Sequence, residues 1–148
     1  MKKGYSEVYR FTGGNAEWRS FNYPQDLNNK YRDLRPKKLK PKQVYTLLAN
    51  QDILIIDVRP KNFVKGPEYI AGSINFPILT ITKRLHEIPK DRPIILTDWT
   101  MRQSPLAAKF LMANGFDNIL GVLKGGLIRW TEEGFPIERH QPQPDDIE

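Results

Sequence analysis

Short apolar runs that alternate with helical patterns from residue 41 onward constrain the fold more than any other feature of this sequence. Two of the runs, 53–56 and 93–97, are almost entirely apolar, which is typical of strands buried on both faces of a sheet. Segments 73–76 and 118–122 are predicted as further strands. Because helical segments with short connections separate the strands, we expect an α/β fold built on a parallel sheet.

Four segments have the apolar spacing of helices. They are 41–50, 78–88, a segment that opens at 104 and is closed by Asn114-Gly115, and 127–133. In the third helix, Ser104 is predicted as the N-cap and Pro105 as the first helical residue. In parallel sheets the reactive site lies beyond the carboxyl ends of the strands, at a helix N-terminus. This rule directs attention to residues 98–104.

The charge of the chain is concentrated in one segment. The 148 residues carry a net charge of +6, and residues 30–42 alone contain seven Lys or Arg against one Asp. Such a basic segment could contact phosphates or an anionic membrane surface. The simpler interpretation is a solvated linker broken by prolines, so we expect no nucleic-acid partner.

The length of the chain predicts one domain with an extension at each end. Residues 1–29 contain six Tyr, Phe or Trp but no sustained helical or alternating pattern of apolar residues. We expect them to pack on the domain or to dock on a partner. The predicted division is an aromatic-rich extension and basic linker at 1–39, a folded domain at 40–138 and a flexible tail at 139–148. We expect a monomer.

The chain contains no cysteine, which excludes disulfides, thiolate metal sites and every reaction of a cysteine nucleophile. Its two histidines, His86 and His140, lack a second ligand at suitable spacing, so we expect no metal site and no cofactor. No apolar run reaches the length of about 18 residues that a membrane-spanning helix needs. The compartment stays open, with the cytoplasm as the default.

Four motifs, in order along the chain, resemble the rhodanese-like domain family. They are Asp57-Val58-Arg59, the stretch Tyr69-Ile70-Ala71-Gly72-Ser73-Ile74-Asn75-Phe76-Pro77, the strand, loop and helix at 93–116, and Leu123-Lys124-Gly125-Gly126 followed by Trp130, Gly134 and Pro136. Tyr69 stands where the family commonly has His. The resemblance implies a five-stranded, mostly parallel sheet flanked by helices on both faces. It also implies sulfur transfer through a loop cysteine that becomes a persulfide.

The active-site loop is where the chain departs from this family. The family's loop reads Cys, four variable residues, Arg, and then Ser or Thr. Here the segment of equal length is Asp98-Trp99-Thr100-Met101-Arg102-Gln103-Ser104, so the resemblance places Asp98 at the cysteine position. A carboxylate cannot accept and release sulfane sulfur as a thiolate does, and no other cysteine replaces it. The resemblance therefore carries the fold over, but not the activity.

Asp98 can have three roles in such a loop, whose N–H groups curl above a helix N-terminus and form an anion cradle. It can be a structural carboxylate that accepts from loop N–H groups and pairs with Arg102. It can belong to a recognition surface with exposed Trp99 and Met101, in a pocket that rejects anions or accepts cations. It can be the nucleophile of a metal-assisted phosphoryl or ester hydrolase, which we keep as the alternative function.

We expect a catalytically inactive binding or regulatory module whose protein partner contacts residues 1–40 or the Asp98 loop. Asp57 and Arg59 follow a predicted strand and could reach the rim of the pocket, although a structural salt bridge is the more common arrangement of such a pair. Gly125-Gly126 is predicted as a tight turn and Trp130 as a core residue.

Overall fold

The computed structural model describes residues 9–10, 12, 14–22, 29–60 and 68–139. The strands in these ranges are β1 (Lys38–Leu39), β2 (Leu54–Asp57), β3 (Glu68–Tyr69), β4 (Ile74–Asn75), β5 (Ile94–Thr97), β6 (Ile119–Leu123) and β7 (Glu138–Arg139). The α-helices are α1 (Gly14–Ser20), α2 (Asn29–Arg32), α3 (Pro41–Asn50), α4 (Ser104–Ala113) and α5 (Gly126–Glu132), and a 3₁₀ helix spans Leu85–Glu87.

Five of the strands form one parallel sheet in the order β1-β6-β5-β2-β4. The remaining two, β3 and β7, pair as a separate antiparallel ribbon. The predicted α/β fold with a five-stranded parallel sheet is confirmed. Every paired strand of the large sheet points the same way, so the carboxyl ends of its strands meet at one edge.

Two hydrophobic clusters cover the two faces of the sheet, and β2 explains why there are two. Successive side chains of a strand point to opposite faces, so Leu54 and Ile56 join the cluster under α4, whereas Ile55 joins the cluster under α3 and α5. Trp130, on α5, is buried in the second cluster, as predicted. Helices therefore flank the sheet on both sides.

The predicted helix at 78–88 is wrong. The segment folds as turns followed by the 3₁₀ helix Leu85–Glu87, with i to i+3 hydrogen bonds such as Thr80 N–H to the Pro77 carbonyl. Four of its apolar residues, Ile78, Ile81, Leu85 and Ile88, still belong to or pack against the first cluster, so burial produced the helix-like spacing without a helix. The β-branched residues of this segment also lower its helix propensity slightly.

The predicted N-cap of α4 is also wrong. Gln103 occupies that position, with φ −95° and ψ −37°, and Ser104 is the first helical residue. The Ser104 hydroxyl donates to Oδ1 of Asp98, with 3.3 Å between the oxygens. A contact with the preceding loop therefore replaces the expected contact with the first turn of the helix.

The basic segment at 30–42 is more structured than a solvated linker. Its residues Lys38 and Leu39 form β1, the edge strand that pairs with Val122 and Leu123 of β6. Two residues are too few to give an alternating pattern, so the sequence did not predict this strand. A lysine in it is in keeping with its place at the edge of the sheet. The sheet begins before residue 40, and the described α2 lies against α4.

Parts of the two predicted extensions lie outside the described residues. These parts include three of the six aromatic residues of 1–29, namely Tyr5, Phe11 and Tyr23, and all of 140–148. Arg139, predicted as the start of the flexible tail, pairs with Glu68 across the β3–β7 ribbon. Among the residues that the structure describes, no helix has the length and apolar character needed to cross a membrane.

We expect Gly121→Ala to lower the free energy of unfolding by about 2–4 kcal/mol, because the new Cβ would displace β1. Gly121 has φ +154°, and a Cβ there would lie 2.4 Å from the Lys37 carbonyl oxygen. Urea denaturation measures the loss. Gly72→Ala is the matched control, since Gly72 also has positive φ (+73°) but faces open space, and should cost about 1 kcal/mol. Equal losses would contradict the steric argument.

Candidate functional site

The loop between β5 and α4 lies at the carboxyl edge of the sheet and contains the predicted site residues 98–103. The neighbouring strands β2 and β6 bring Asp57 to Arg59 and Lys124 to Gly126 to the same edge. This is the place where open parallel sheets hold their ligands. The topology thus collects three segments that are far apart in sequence around one loop.

The Asp98 side chain is the centre of this loop. Only 2% of Asp98 is exposed, and its carboxylate accepts hydrogen bonds from the backbone N–H groups of Met101, Gln103 and Ser104. The Ser104 N–H group donates to Oδ2 over 3.1 Å. Charge-assisted bonds of this kind are about twice as strong as neutral ones. The carboxylate occupies the position in which an anion cradle would hold an external ion.

Both carboxylate oxygens of Asp98 are engaged by the loop. Oδ1 accepts from the Met101 N–H group and the Ser104 hydroxyl, and Oδ2 accepts from the Gln103 and Ser104 N–H groups. The carboxylate therefore does not form the expected cation-accepting pocket. It also bonds to these amides rather than to Arg102, whose side chain is exposed.

The N-terminus of α5 fixes the loop from behind. The Leu127 N–H group donates to the Asp98 carbonyl over 2.8 Å, and the Ile128 N–H group donates to the Trp99 carbonyl over 3.1 Å. Gly126 makes this approach possible: a Cβ on it would lie 2.6 Å from each of the two carbonyl oxygens. The sequence predicted a tight turn at Gly125-Gly126 but not the contact of this turn with the Asp98 loop.

Met101 is the loop residue with an unusual backbone conformation. Its φ is +64°, in the left-handed region that residues with a Cβ seldom adopt. Its N–H group donates to the Asp98 carboxylate, and its side chain packs against the first core cluster. Met101 is therefore only partly exposed, whereas Trp99 is 38% exposed and Thr100 is exposed.

Asp57 and Arg59 form a buried ion pair beside the loop. Nη2 of Arg59 lies 2.6 Å from Oδ2 of Asp57, and the same nitrogen donates to the Glu68 carbonyl over 2.6 Å. The guanidinium carbon also lies 5.4 Å from the centroid of the Trp99 ring, over its face. This geometry fits the structural interpretation of the pair, which supports the loop through Trp99.

Two further residues that sequence reasoning did not assign stabilise the surroundings. The Asn75 side chain donates to the carbonyls of Asp57 and Arg59, over 3.1 and 2.9 Å, and so fixes the turn that follows β2. The Tyr69 hydroxyl bonds to Glu138 across the ribbon, and this hydrogen bond raises the pKa of Tyr69 above its usual value. The motif at 69–77 was the available signal for both.

A cleft of about 650 Å³ lies beside the loop. It is lined by Lys40, Pro41, Met101, Lys124, Gly125, Arg129 and Glu133. Its lining residues come from the basic segment, the Asp98 loop and the segment 124–133, and nothing in the sequence brings these three parts together. In the described part of the chain, no three His, Cys, Asp or Glu side chains gather as a metal-binding group.

The comparison with known proteins identifies the family. A sequence model described as "Rhodanese-like domain" matches residues 40–133, which is more than half of the chain. The chain belongs to the rhodanese-like domain family, as its four motifs predicted.

Two relatives and one solved structure illustrate the similarity. A sulfurtransferase of Allochromatium vinosum is 34% identical over 92 residues, which cover 62% of this chain and 83% of that protein. YibN of Escherichia coli K12 is 34% identical over 97 residues, covering 63% and 66%. The crystal structure of a rhodanese-related protein from Thermoplasma volcanium has a TM-score of 0.61 and 25% identity, covering 69% of this chain and 97% of that one.

We expect Asp98→Ala to lower the free energy of unfolding by about 2–4 kcal/mol, because the loop N–H groups lose their charged acceptor. Urea denaturation tests this expectation. Formate should restore part of the lost stability in Asp98→Ala, relative to chloride at equal ionic strength, by entering the vacated cradle.

Asp117→Ala serves as the control for that prediction. Asp117 is exposed, and its loss should change stability by less than about 0.5 kcal/mol. If Asp98→Ala were as stable as Asp117→Ala, the loop would not depend on its carboxylate.

Proposed function

We propose that this chain is a rhodanese-like domain that does not transfer sulfur and that serves as a binding module. The observation that carries the proposal is the bonding of Asp98. Its carboxylate is the resident anion of the loop and accepts from Met101, Gln103 and Ser104. The loop thereby keeps the curled shape of an anion cradle, and its donors are already satisfied.

The chemistry of sulfur transfer supports this proposal. A loop thiolate attacks the sulfane sulfur of thiosulfate, the S–S bond breaks, sulfite leaves with the bonding pair, and a persulfide remains. Cyanide then takes the sulfur as thiocyanate and regenerates the thiolate. Carboxylate oxygen gives no stable counterpart of the persulfide, and the sequence holds no cysteine. The sulfurtransferase activity named for the Allochromatium vinosum relative is therefore not expected here.

The alternative of a hydrolase that uses Asp98 as nucleophile finds less support. A carboxylate nucleophile must direct an oxygen lone pair at the substrate. Both oxygens of Asp98 face donors of its own loop, and the residue is 2% exposed. Attack would require breaking several charge-assisted hydrogen bonds first.

Exposed apolar side chains near the loop favour a binding role. Trp99 lies in the loop, Leu106 lies in the first turn of α4, and Leu79 follows β4 at the same edge of the sheet. Leu106 is 59% and Leu79 is 83% exposed. Apolar groups exposed near a rigid sheet edge are suited to contact a protein. The partner surfaces expected from the sequence, residues 1–40 and the Asp98 loop, remain part of this proposal.

Sulfur-transfer assays test the proposal. The unmodified chain should form thiocyanate from thiosulfate and cyanide no faster than the buffer does. Asp98→Cys should accept one sulfur per chain from thiosulfate, because the loop N–H groups favour the thiolate and lower its pKa below the ordinary value of about 8.5. Mass spectrometry measures the added sulfur, and thiol titration measures the pKa.

Asp117→Cys is the matched control, since it adds one thiol on an exposed residue outside the loop. This thiol should titrate near its ordinary value and accept no sulfur. Thiocyanate formation by the unmodified chain would overturn the proposal. An Asp98→Cys thiol that behaves like the Asp117→Cys thiol would disprove the cradle-like shape of the loop.

A further inference from the structure

The cleft beside the Asp98 loop is positively charged because of how the edge of the sheet is built. β1 and β6 are parallel, with Leu39 opposite Leu123, so the next residues, Lys40 and Lys124, leave the sheet side by side. The Lys124 N–H group donates to the Leu39 carbonyl over 2.8 Å and fixes this arrangement. Both lysines line the cleft.

The two lysines supply charge that no carboxylate of the described residues pairs with. Arg129 also lines the cleft, but its Nε lies 2.6 Å from Oε1 of Glu133, which offsets its charge. Lys40 and Lys124 are exposed, and neither forms an ion pair within the described ranges of the chain. Neighbouring like charges repel, so an anionic partner is favoured between them.

The segment that contains Lys40 is itself strongly basic. Residues 30–42 hold seven Lys or Arg against one Asp, and the rest of the chain is nearly neutral. Lys37 just before β1, Lys38 on β1 and Lys42 on α3 are all exposed. A one-sided positive field of this kind attracts acidic partners and speeds their association.

We propose that this cleft binds an acidic segment of a protein partner, an inference that rests on the proposed binding function and names the class of partner. Carboxylates of the segment pair with Lys40 and Lys124, and an apolar side chain lies against Pro41 and Met101. The two lysines of the cleft are exposed and have long flexible side chains. These features suit carboxylates spaced along a chain better than one compact ion.

Met101 connects this cleft to the filled cradle. Its N–H group holds the Asp98 carboxylate, while its side chain lines the cleft. Asp98 thus occupies the anion position inside the loop, and the cleft offers a second anion position outside it. The acidic segment docks on the loop without entering the cradle.

Fluorescence anisotropy with a labelled peptide of alternating Glu and Leu tests the proposal, at an ionic strength of about 150 mM. The full chain should bind it, and the double variant Lys40→Gln, Lys124→Gln should bind about five- to tenfold more weakly. A peptide with Gln in place of Glu should bind the full chain more weakly by a similar factor. Amide resonances of Met101, Lys124 and Gly125 should shift on binding.

The double variant Lys83→Gln, Lys109→Gln is the matched control. It removes the same charge from the segment and helix that cover the opposite face of the sheet and should change affinity less than about twofold. Equal weakening in the two double variants would overturn the proposal, since only the overall field would then matter. Tighter binding of a single-stranded oligonucleotide of equal charge would also overturn it, in favour of nucleic acid.

The outcomes separate this inference from the proposed function. If the peptide fails to bind while the sulfur-transfer assays give their expected results, only the cleft proposal fails. If the unmodified chain transfers sulfur but binds the peptide through Lys40 and Lys124, the cleft proposal stands and the proposal of a catalytically inactive domain fails. Circular dichroism of each double variant verifies that it is folded.

Discussion

The carboxylate of Asp98, held by the N–H groups of Met101, Gln103 and Ser104, is the interaction on which the site depends. Loop N–H groups that converge on one point need an acceptor there, because buried donors without partners are costly. Because the Asp98 carboxylate is part of the chain, it supplies this acceptor without a ligand having to bind first. Its bond to the Met101 N–H group also offsets the cost of the left-handed conformation of that residue.

The electrostatics of the carboxyl edge follow from this arrangement. The negative charge of Asp98 is buried, and the N–H groups of its own loop point at it. The positive charges of Lys40 and Lys124 are exposed and have no carboxylate partner in the described structure. At this edge, a buried carboxylate with hydrogen-bond partners lies next to two exposed lysines without a described carboxylate partner. Met101 connects the two, since its N–H group donates to Asp98 and its side chain lines the cleft.

Sequence patterns predicted the elements whose burial is two-sided or strongly periodic. The runs that became β2 and β5 are apolar on both faces, and α3 begins at Pro41 with its apolar stripe against the core. The sequence patterns gave wrong predictions in two places. At 78–88, buried apolar residues have helix-like spacing in a segment of turns, and Ser104 donates to the Asp98 side chain instead of capping α4. The position of Asp98 followed from motif order. Loop N–H groups were among the partners expected for its carboxylate, although the individual donors were not. The cleft was not predicted, because Lys40, Met101 and Lys124 come together only through strand pairing.

An aspartate in place of a persulfide-forming cysteine changes the surface that the loop presents to a partner. A persulfide cysteine alternates between loaded and free states, and the anion inside its loop changes with them. Asp98 keeps one charge, one size and one set of hydrogen bonds, with its loop fixed from behind by Leu127 and Ile128. Trp99, on the surface of that loop, is then presented in a constant position against Arg59. A surface that need not rearrange before binding loses less entropy on association, which is the physical advantage that the proposed binding role would gain from Asp98.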